Sequence, residues 1–135
     1  RGRLPSELGL LTNLKHFYLG GNLFGGTLPS QVGNMISLQL LDAAFNFIGG
    51  TLPSEMGLLE DRMMSLFLEG NRLQGTIPIE WANMKNLTDL FLVRNDINSV
   101  VPVELCSLPQ LLNLVVDCPK VSCMCCLDFD LFPCP

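Results

Sequence analysis

The stretch GGTLPS occurs at Gly25–Ser30 and again, letter for letter, at Gly49–Ser54, which lies 24 positions further along the chain. The same period continues beyond these six residues. Prolines recur every 24 or 25 residues at Pro5, Pro29, Pro53, Pro78 and Pro102, and asparagines recur at Asn22, Asn46, Asn71 and Asn95. Because self-similarity at such a period is the signature of stacked units, the sequence predicts a repeat array in which each unit packs on the next.

The repeating unit reads L-x-x-L-x-L-x-x-N-x-L-x-G-x-L/I-P. Its L-x-L segment has period two, so Phe17 and Leu19 are predicted to point to one side of a strand while His16 and Tyr18 point to the other. A strand this short cannot bury its apolar side alone, but parallel copies bury it against one another. The predicted strands centre near Phe17–Leu19, Leu41–Ala43, Leu66–Leu68, Leu90–Leu92 and Leu114–Val116.

The asparagine of each unit stands where the strand ends and the chain must turn inward. Buried backbone amides and carbonyls need hydrogen-bond partners, and an asparagine side chain offers both donors and an acceptor. The sequence therefore predicts an internal ladder through Asn22, Asn46, Asn71 and Asn95. The glycine that follows permits a tight bend, and the proline stiffens the return segment.

These columns resemble the leucine-rich repeat, and the L-x-G-x-L/I-P half with its 24-residue period resembles the plant-type subclass. The resemblance covers residues 1–117, as a partial first unit, four units of 24–25 residues and a last strand. It implies an α/β solenoid: a curved right-handed coil with a concave parallel β-sheet, short second strands, 3₁₀ turns on the convex side and few or no long helices. Residues 118–135 are the expected Cys-rich C-terminal cap.

The start of the chain also follows the repeat. Arg1–Pro5 aligns with Gly25–Pro29, so the chain opens in the middle of a unit. Natural solenoids cover the apolar edge of their first coil with an atypical repeat. We therefore expect this chain to be a fragment of a longer protein.

Composition agrees with a solenoid and argues against two classes of partner. Hydrophobic residues make up 48% of the chain and charged residues 16%, which suits a buried side in every coil. The net charge of −5 and the absence of a basic stripe argue against nucleic acid. No apolar run approaches the roughly 18 residues of a membrane-spanning helix, so we expect no membrane contact by this segment itself.

Six cysteines lie in the C-terminal third of the chain, at Cys106, Cys118, Cys123, Cys125, Cys126 and Cys134. The leading interpretation is a set of disulfides that close the last coil in an oxidising compartment. The sequence does not choose among the pairings. Zinc binding by Cys-x-Cys-Cys and a buried free thiol at Cys106 remain open alternatives.

The sequence does not predict an enzyme or a cofactor. A cysteine nucleophile needs a histidine within hydrogen-bond reach. The only histidine, His16, lies in the first strand, whereas Cys118 follows the fifth, about 19 Å away at ~4.8 Å per coil. The carboxylates are scattered over different columns, and no Gly-rich phosphate loop is present.

The outward positions of the strands are the residues that the fold does not dictate. The predicted ligand-binding set on the concave face is Tyr18, Asp42, Phe67, Glu69, Asp89, Phe91 and Arg94. Aromatic side chains near an arginine and carboxylates are typical of binding hot spots. The alternative is that Phe67 and Phe91 only pack on each other as neighbours on adjacent strands.

The resemblance implies a recognition module, secreted or on the extracellular side of the plasma membrane, that binds a protein or peptide ligand, with a glycan as the second choice. Asn86-Leu87-Thr88 matches the N-glycosylation pattern and favours a secretory origin. One alternative is the ectodomain of a transmembrane receptor kinase whose kinase lies outside this chain. Another is a structural or adhesive cell-wall protein without a discrete ligand.

Overall fold

The computed structural model describes residues 1–118, 120–128 and 130–134. The strands are, in chain order, β1 Gly2–Arg3, β2 His16–Tyr18, β3 Phe24–Gly25, β4 Leu40–Asp42, β5 Gly49–Thr51, β6 Ser65–Phe67, β7 Arg72–Gly75, β8 Asp89–Phe91, β9 Asp96–Ile97 and β10 Asn113–Val115. Short 3₁₀ helices span Ser6–Leu10, Ser30–Asn34, Ser54–Leu59 and Ile79–Asn83, and an α-helix, α1, spans Val103–Cys106.

Five strands form one parallel sheet in the order β2-β4-β6-β8-β10, with one strand from each coil. The register follows the repeat, so that Phe17 lies opposite Leu41 and Leu41 opposite Leu66. This sheet, together with the 3₁₀ turns and the near absence of helix, confirms the predicted leucine-rich-repeat solenoid. The strands centre one residue earlier than predicted, because the chain bends soon after Leu19 and reaches a left-handed conformation at Gly21 (φ 68°).

The short second strands form a lateral ribbon beside the concave sheet. β1 pairs with β3, and β7 pairs with β5 on one side and β9 on the other, all in parallel. A single bridge between Thr27 and Gly49 joins the two parts. In this ribbon the paired residues are 22 or 23 positions apart, so its register differs from the repeat of 24 or 25.

The core is a column of apolar side chains that runs through all coils. Leu38, Met63 and Leu87 occupy the same position in successive units, and each is fully buried. Burying a side chain of this size stabilises the fold by about 1.5–3 kcal/mol. On the convex side the Trp81 indole is also fully buried, and its N–H donates to the carbonyl of Pro53 at 2.8 Å.

Three asparagines connect each coil to the one before it. The side-chain amide of Asn46 donates to the carbonyl of Leu19 at 2.9 Å in the preceding coil, and its Oδ1 accepts from the backbone amide of Phe24 at 2.9 Å. Asn71 and Asn95 repeat both contacts one and two coils further on. All three are buried, with exposed fractions of 5–9%.

Asn22 differs from the other three asparagines. It is exposed, and its side-chain amide donates to the carbonyls of Leu19 and Gly20 in its own coil. The bonds between coils therefore run from Asn46 to Asn95.

The C-terminal segment covers the last strand of the concave sheet. The amide of Leu127 donates to the carbonyl of Leu114 at 2.8 Å, and the amide of Val116 donates to the carbonyl of Leu127 at 3.0 Å. Val115, at an outward position of β10, is consequently buried. The edge of the sheet is thus paired by the chain itself, which removes an exposed row of hydrogen-bonding groups.

Three disulfides hold this segment: Cys106–Cys125, Cys118–Cys134 and Cys123–Cys126. The first two link residues 19 and 16 positions apart. Loops of this length restrict the unfolded chain enough to stabilise the fold by about 3 kcal/mol each in the chain-entropy treatment.

These disulfides also argue against the two alternatives for the cysteines, which were zinc binding and a free thiol at Cys106. The sulfurs of Cys106, Cys123 and Cys125 lie within 4.8 Å of one another, a spacing that suits a metal ion. All three are bonded in disulfides, however, and a metal ligand must be a thiolate. Cys106 is paired with Cys125, so it is not a free thiol.

Across the described ranges, the helical segments lack the length and continuous apolar sequence that crossing a bilayer requires.

Replacing Asn71 by Leu should lower the free energy of unfolding by about 1–3 kcal/mol, because the buried amide of Ile48 loses its acceptor and the carbonyl of Ala43 loses the shorter of its two side-chain hydrogen bonds. The measurement is denaturant unfolding. The matched control is Asn22→Leu, whose side chain is exposed and bonds only within its own coil, so a clearly smaller loss is expected. Equal losses in the two variants would contradict this account of the ladder.

Candidate functional site

The concave sheet presents its outward side chains in three rows, one residue from each coil. The first row is His16, Leu40, Ser65, Asp89 and Asn113. The central row is Tyr18, Asp42, Phe67, Phe91 and Val115. The third row, which follows the strands, is Gly20, Ala44, Glu69, Val93 and Asp117. Neighbours within a row are about 4.8 Å apart, so the rows form a regular grid of side chains.

The central row contains an aromatic pair. Phe67 and Phe91 lie directly opposite each other on β6 and β8, and their ring centroids are 5.3 Å apart with an interplanar angle of 58°. Such tilted contacts stabilise by about 0.5–1.5 kcal/mol beyond the area they bury. Both side chains are partly buried, so the contact between them still leaves part of each ring open to a partner.

Asp89 of the first row is held by its neighbours. Its carboxylate accepts from the hydroxyls of Ser65 and Thr88 at 3.3 and 2.8 Å, and from the side-chain amide of Asn113 at 2.8 Å. Three donors from three coils therefore fix this carboxylate in place. Asp89 contributes negative charge to the surface from a rigid position.

Glu69 of the third row has a carboxylate oxygen with unmet bonding capacity. The side chain is half-buried, and its Oε2 is shielded from water with no hydrogen-bond partner among the described residues. Burial raises the pKa of Glu69, the negative charge of Asp42 raises it further, and a backbone hydrogen bond partly opposes both. One oxygen of this carboxylate can therefore accept a hydrogen bond from a donor that the described part of the chain does not supply.

A fourth column holds two large side chains in an unusual backbone conformation. Gly21 and Gly70 occupy it in the first and third coils with φ of 68° and 67°, but Phe45 and Arg94 occupy it in the second and fourth with φ of 52° and 59°. The left-handed region costs a non-glycine residue about 1–3 kcal/mol. Both side chains are exposed.

The Phe45 ring depends on the glycine in the next coil. A β-carbon at Gly70 would lie 2.6 Å from Cδ1 of Phe45, so the ring lies over the bare backbone of Gly70. Phe45 was not in the predicted ligand-binding set. The signal that could have found it is a bulky apolar residue in a column where two of the four coils have glycine.

The predicted ligand-binding residues do not form one compact patch. Asp42, Phe67, Glu69 and Phe91 lie on three adjacent coils at the centre of the sheet. Tyr18 lies in the first coil, is 65% exposed and makes an edge contact with His16 at 6.4 Å.

Arg94 lies beyond the third row, and its backbone amide donates to the Asp117 carboxylate at 2.9 Å. The glycosylation candidate Asn86 is exposed in a turn outside this sheet, and its side-chain amide donates to the carbonyl of Asp61 at 2.8 Å.

Comparison with known proteins gives one family match and a set of structural neighbours. Residues 13–35 match the family described as Leucine Rich Repeat. No curated protein sequence matches the chain.

Three solved structures illustrate the likeness. The PEPR1–AtPEP1 structure has a TM-score of 0.84 and 35% identity, over 90% of this chain and 17% of its own. The plant peptide hormone receptor RGFR1 in complex with RGF2 has a TM-score of 0.79 and 30% identity, over 94% of this chain and 19% of its own.

The third is the ectodomain of the membrane receptor kinase GASSHO1/SCHENGEN3 from Arabidopsis thaliana in complex with CASPARIAN STRIP INTEGRITY FACTOR 2. It has a TM-score of 0.79 and 32% identity, over 94% of this chain and 17% of its own. This chain therefore spans less than a fifth of the length of these three structures.

Replacing Glu69 by Gln should raise the melting temperature near pH 7, because the neutral amide avoids burying a carboxylate beside Asp42. With its pKa raised, Glu69 binds a proton more readily in the folded than in the unfolded chain. The wild type therefore gains stability as the pH falls through that raised pKa and loses it as the pH rises.

The gap between the two proteins should accordingly close when thermal melts are repeated at about pH 4. Glu55→Gln is the control, since Glu55 is exposed. A Glu69→Gln protein that is less stable than the wild type near pH 7, or a gap that does not change with pH, would contradict this assignment.

Proposed function

Because this chain is a leucine-rich-repeat protein, we propose that it is a recognition module that binds a protein or peptide ligand on its concave face, and that it has no catalytic activity. The observation that carries the proposal is the combination, on one rigid sheet, of an open aromatic pair with a carboxylate oxygen that lacks a donor. An extended ligand that crosses several coils would meet both.

The aromatic pair supplies the apolar contact. Phe67 and Phe91 are fixed by each other and by the sheet, so binding immobilises little that was free before. Rigid aromatic side chains that become fully desolvated are the residues that most often dominate interface energies. The part of each ring that remains exposed is the area that a ligand would cover.

Polar groups around the pair supply orientation. A ligand N–H or ammonium that reaches Glu69 would give its Oε2 the donor it lacks, and would act beside the charge of Asp42. Arg94, at the edge of the same surface, would form a charge-assisted hydrogen bond with a carboxylate of the ligand. Tyr18 extends the surface toward the first coil.

The structural neighbours support a peptide or protein ligand over a glycan. RGFR1 and GASSHO1/SCHENGEN3 are described as receptors in complex with RGF2 and CASPARIAN STRIP INTEGRITY FACTOR 2 respectively. This chain shares their fold over 94% of its own length, which supports the proposal that it too binds a peptide or protein.

The disulfides support an extracellular location. Three disulfides in a chain of this size are typical of oxidising compartments. Two alternatives remain for the protein as a whole: the ectodomain of a transmembrane receptor kinase, and a structural or adhesive wall protein. Sequencing the transcript beyond Pro135 separates the first from a secreted module, because a receptor must encode a membrane-spanning helix there.

Alanine at Phe67, Phe91 or Arg94 should each weaken ligand binding by about 1–3 kcal/mol. Arg94→Ala should leave the melting temperature nearly unchanged, whereas Phe67→Ala and Phe91→Ala should lower it modestly because each removes the contact between the two rings. The ligand for this test is the peptide most enriched when the protein is selected against a displayed library of random linear peptides. Calorimetry then measures its affinity for each variant. The control variants are Glu60→Ala and Lys85→Ala, which alter exposed residues outside the concave sheet.

The results of this experiment distinguish binding on the concave face from binding elsewhere and from a structural or adhesive role. Losses confined to the concave variants support the proposal. Losses confined to the Glu60 and Lys85 variants would show that the ligand binds elsewhere. Failure to enrich any peptide would favour the structural or adhesive role.

A further inference from the structure

A second surface of the protein has the features of a binding pocket and shares no residue with the concave rows. It lies on the lateral ribbon, over β1, β3 and β7, and is an open concavity of about 600 Å³. Its lining includes Arg1, Arg3 and Arg72, the apolar side chains of Leu23 and Phe47, and the backbone of Gly26.

Arg72 is held in place by an aromatic ring. Its guanidinium carbon lies 4.9 Å from the ring centroid of Phe47, within the range of a cation–π contact. A guanidinium that contacts a ring through its cation still has hydrogen-bond donors to offer another group. Phe47 therefore both forms the apolar wall and orients the charge.

Arg3 is held by the backbone of the next coil. Gly26 adopts φ of 76°, and a β-carbon there would lie 2.9 Å from Cγ of Arg3. The aliphatic stem of Arg3 therefore lies on the bare backbone of Gly26, and any other residue at position 26 would displace it. Two arginines on different coils are thus positioned by separate contacts on one pocket.

The electrostatics of this pocket differ from those of the whole chain. The protein carries a net charge of −5 with 8 basic residues, and three of those eight line this pocket. None of the described residues that line it is acidic. Positive charge is therefore concentrated here, next to the exposed side chains of Leu23 and Phe47.

We propose that this lateral pocket binds a compact oxyanion carried on an apolar or aromatic body, with Arg3 and Arg72 as the anion ligands and Phe47 and Leu23 against the body. Guanidinium groups bind phosphate, sulfate and carboxylate through paired charge-assisted hydrogen bonds. The apolar wall adds contact area that a bare inorganic ion would not use. The neighbouring glycines leave the backbone side of the pocket open.

The test uses three aryl anions of different shape: phenyl phosphate, phenyl sulfate and benzoate. Each is titrated into the isotopically labelled protein while the NMR signals of the arginine side chains and of the Gly25 and Gly26 amides are followed. Benzyl alcohol, which has the same aromatic body and no charge, is the ligand control. The relative affinities of the three anions identify the oxyanion that the pocket prefers.

Arg3→Gln and Arg72→Gln should each weaken binding of the preferred anion about tenfold, the loss expected for one charge-assisted contact. Arg62→Gln removes the same charge from an exposed residue outside the pocket and should leave the affinity unchanged. All three arginines are exposed, so thermal melts should show that the variants remain folded.

Three results would overturn the proposal: no anion shifts the pocket signals, benzyl alcohol binds as tightly as the anions, or Arg62→Gln weakens binding as much as the pocket variants. The last would show attraction to the overall charge of the protein. The pocket and the concave rows share no residue. The anion titrations therefore test this pocket independently of the peptide selection that tests the concave face.

Discussion

The structure depends on one repeated interaction, the buried asparagine that bonds each coil to the coil before it. A solenoid of short strands must turn inward once per coil, and each turn places backbone amides and carbonyls away from water. Asn46, Asn71 and Asn95 satisfy these groups on both sides of the turn. No apolar side chain could do so, because the requirement is for a donor and an acceptor at one point.

This internal ladder leaves the outward positions of the sheet free to vary. Leucines and asparagines inside the coil set the spacing of the strands, so side chains outside it can be chosen for a partner. Asp89 shows how such a side chain becomes rigid, since donors from three coils hold its carboxylate. Phe67 and Phe91 show the same for apolar groups. The concave face is therefore a preorganised surface, which lowers the entropy lost on binding.

The repeat and its inward-pointing residues could be predicted from the sequence, because leucines, asparagines and prolines recur there every 24 or 25 residues. The features that could not be predicted depend on contacts between coils that the period does not describe. The Phe45 ring rests on Gly70, and the unmet oxygen of Glu69 results from how closely its neighbours pack.

The register of the lateral ribbon and the disulfide pairing also could not be predicted from the period of the repeat. Arg3 lies beside Gly25 and Gly26 because the ribbon pairs residues 22 or 23 positions apart, two short of the repeat in each coil. The disulfide partners were open in the sequence because six cysteines fall where the repeat ends, and only the path of the cap brings Cys106 to Cys125.

Native-state amide hydrogen exchange tests the role of the ladder most directly. The backbone amides of Phe24, Ile48 and Leu73 each donate to an asparagine Oδ1 in the following coil. If the ladder holds the coils together, these three amides should exchange only through global unfolding, as slowly as the central amides of the concave sheet. Exchange of all three through local opening, at the rate of exposed turn amides, would contradict the account.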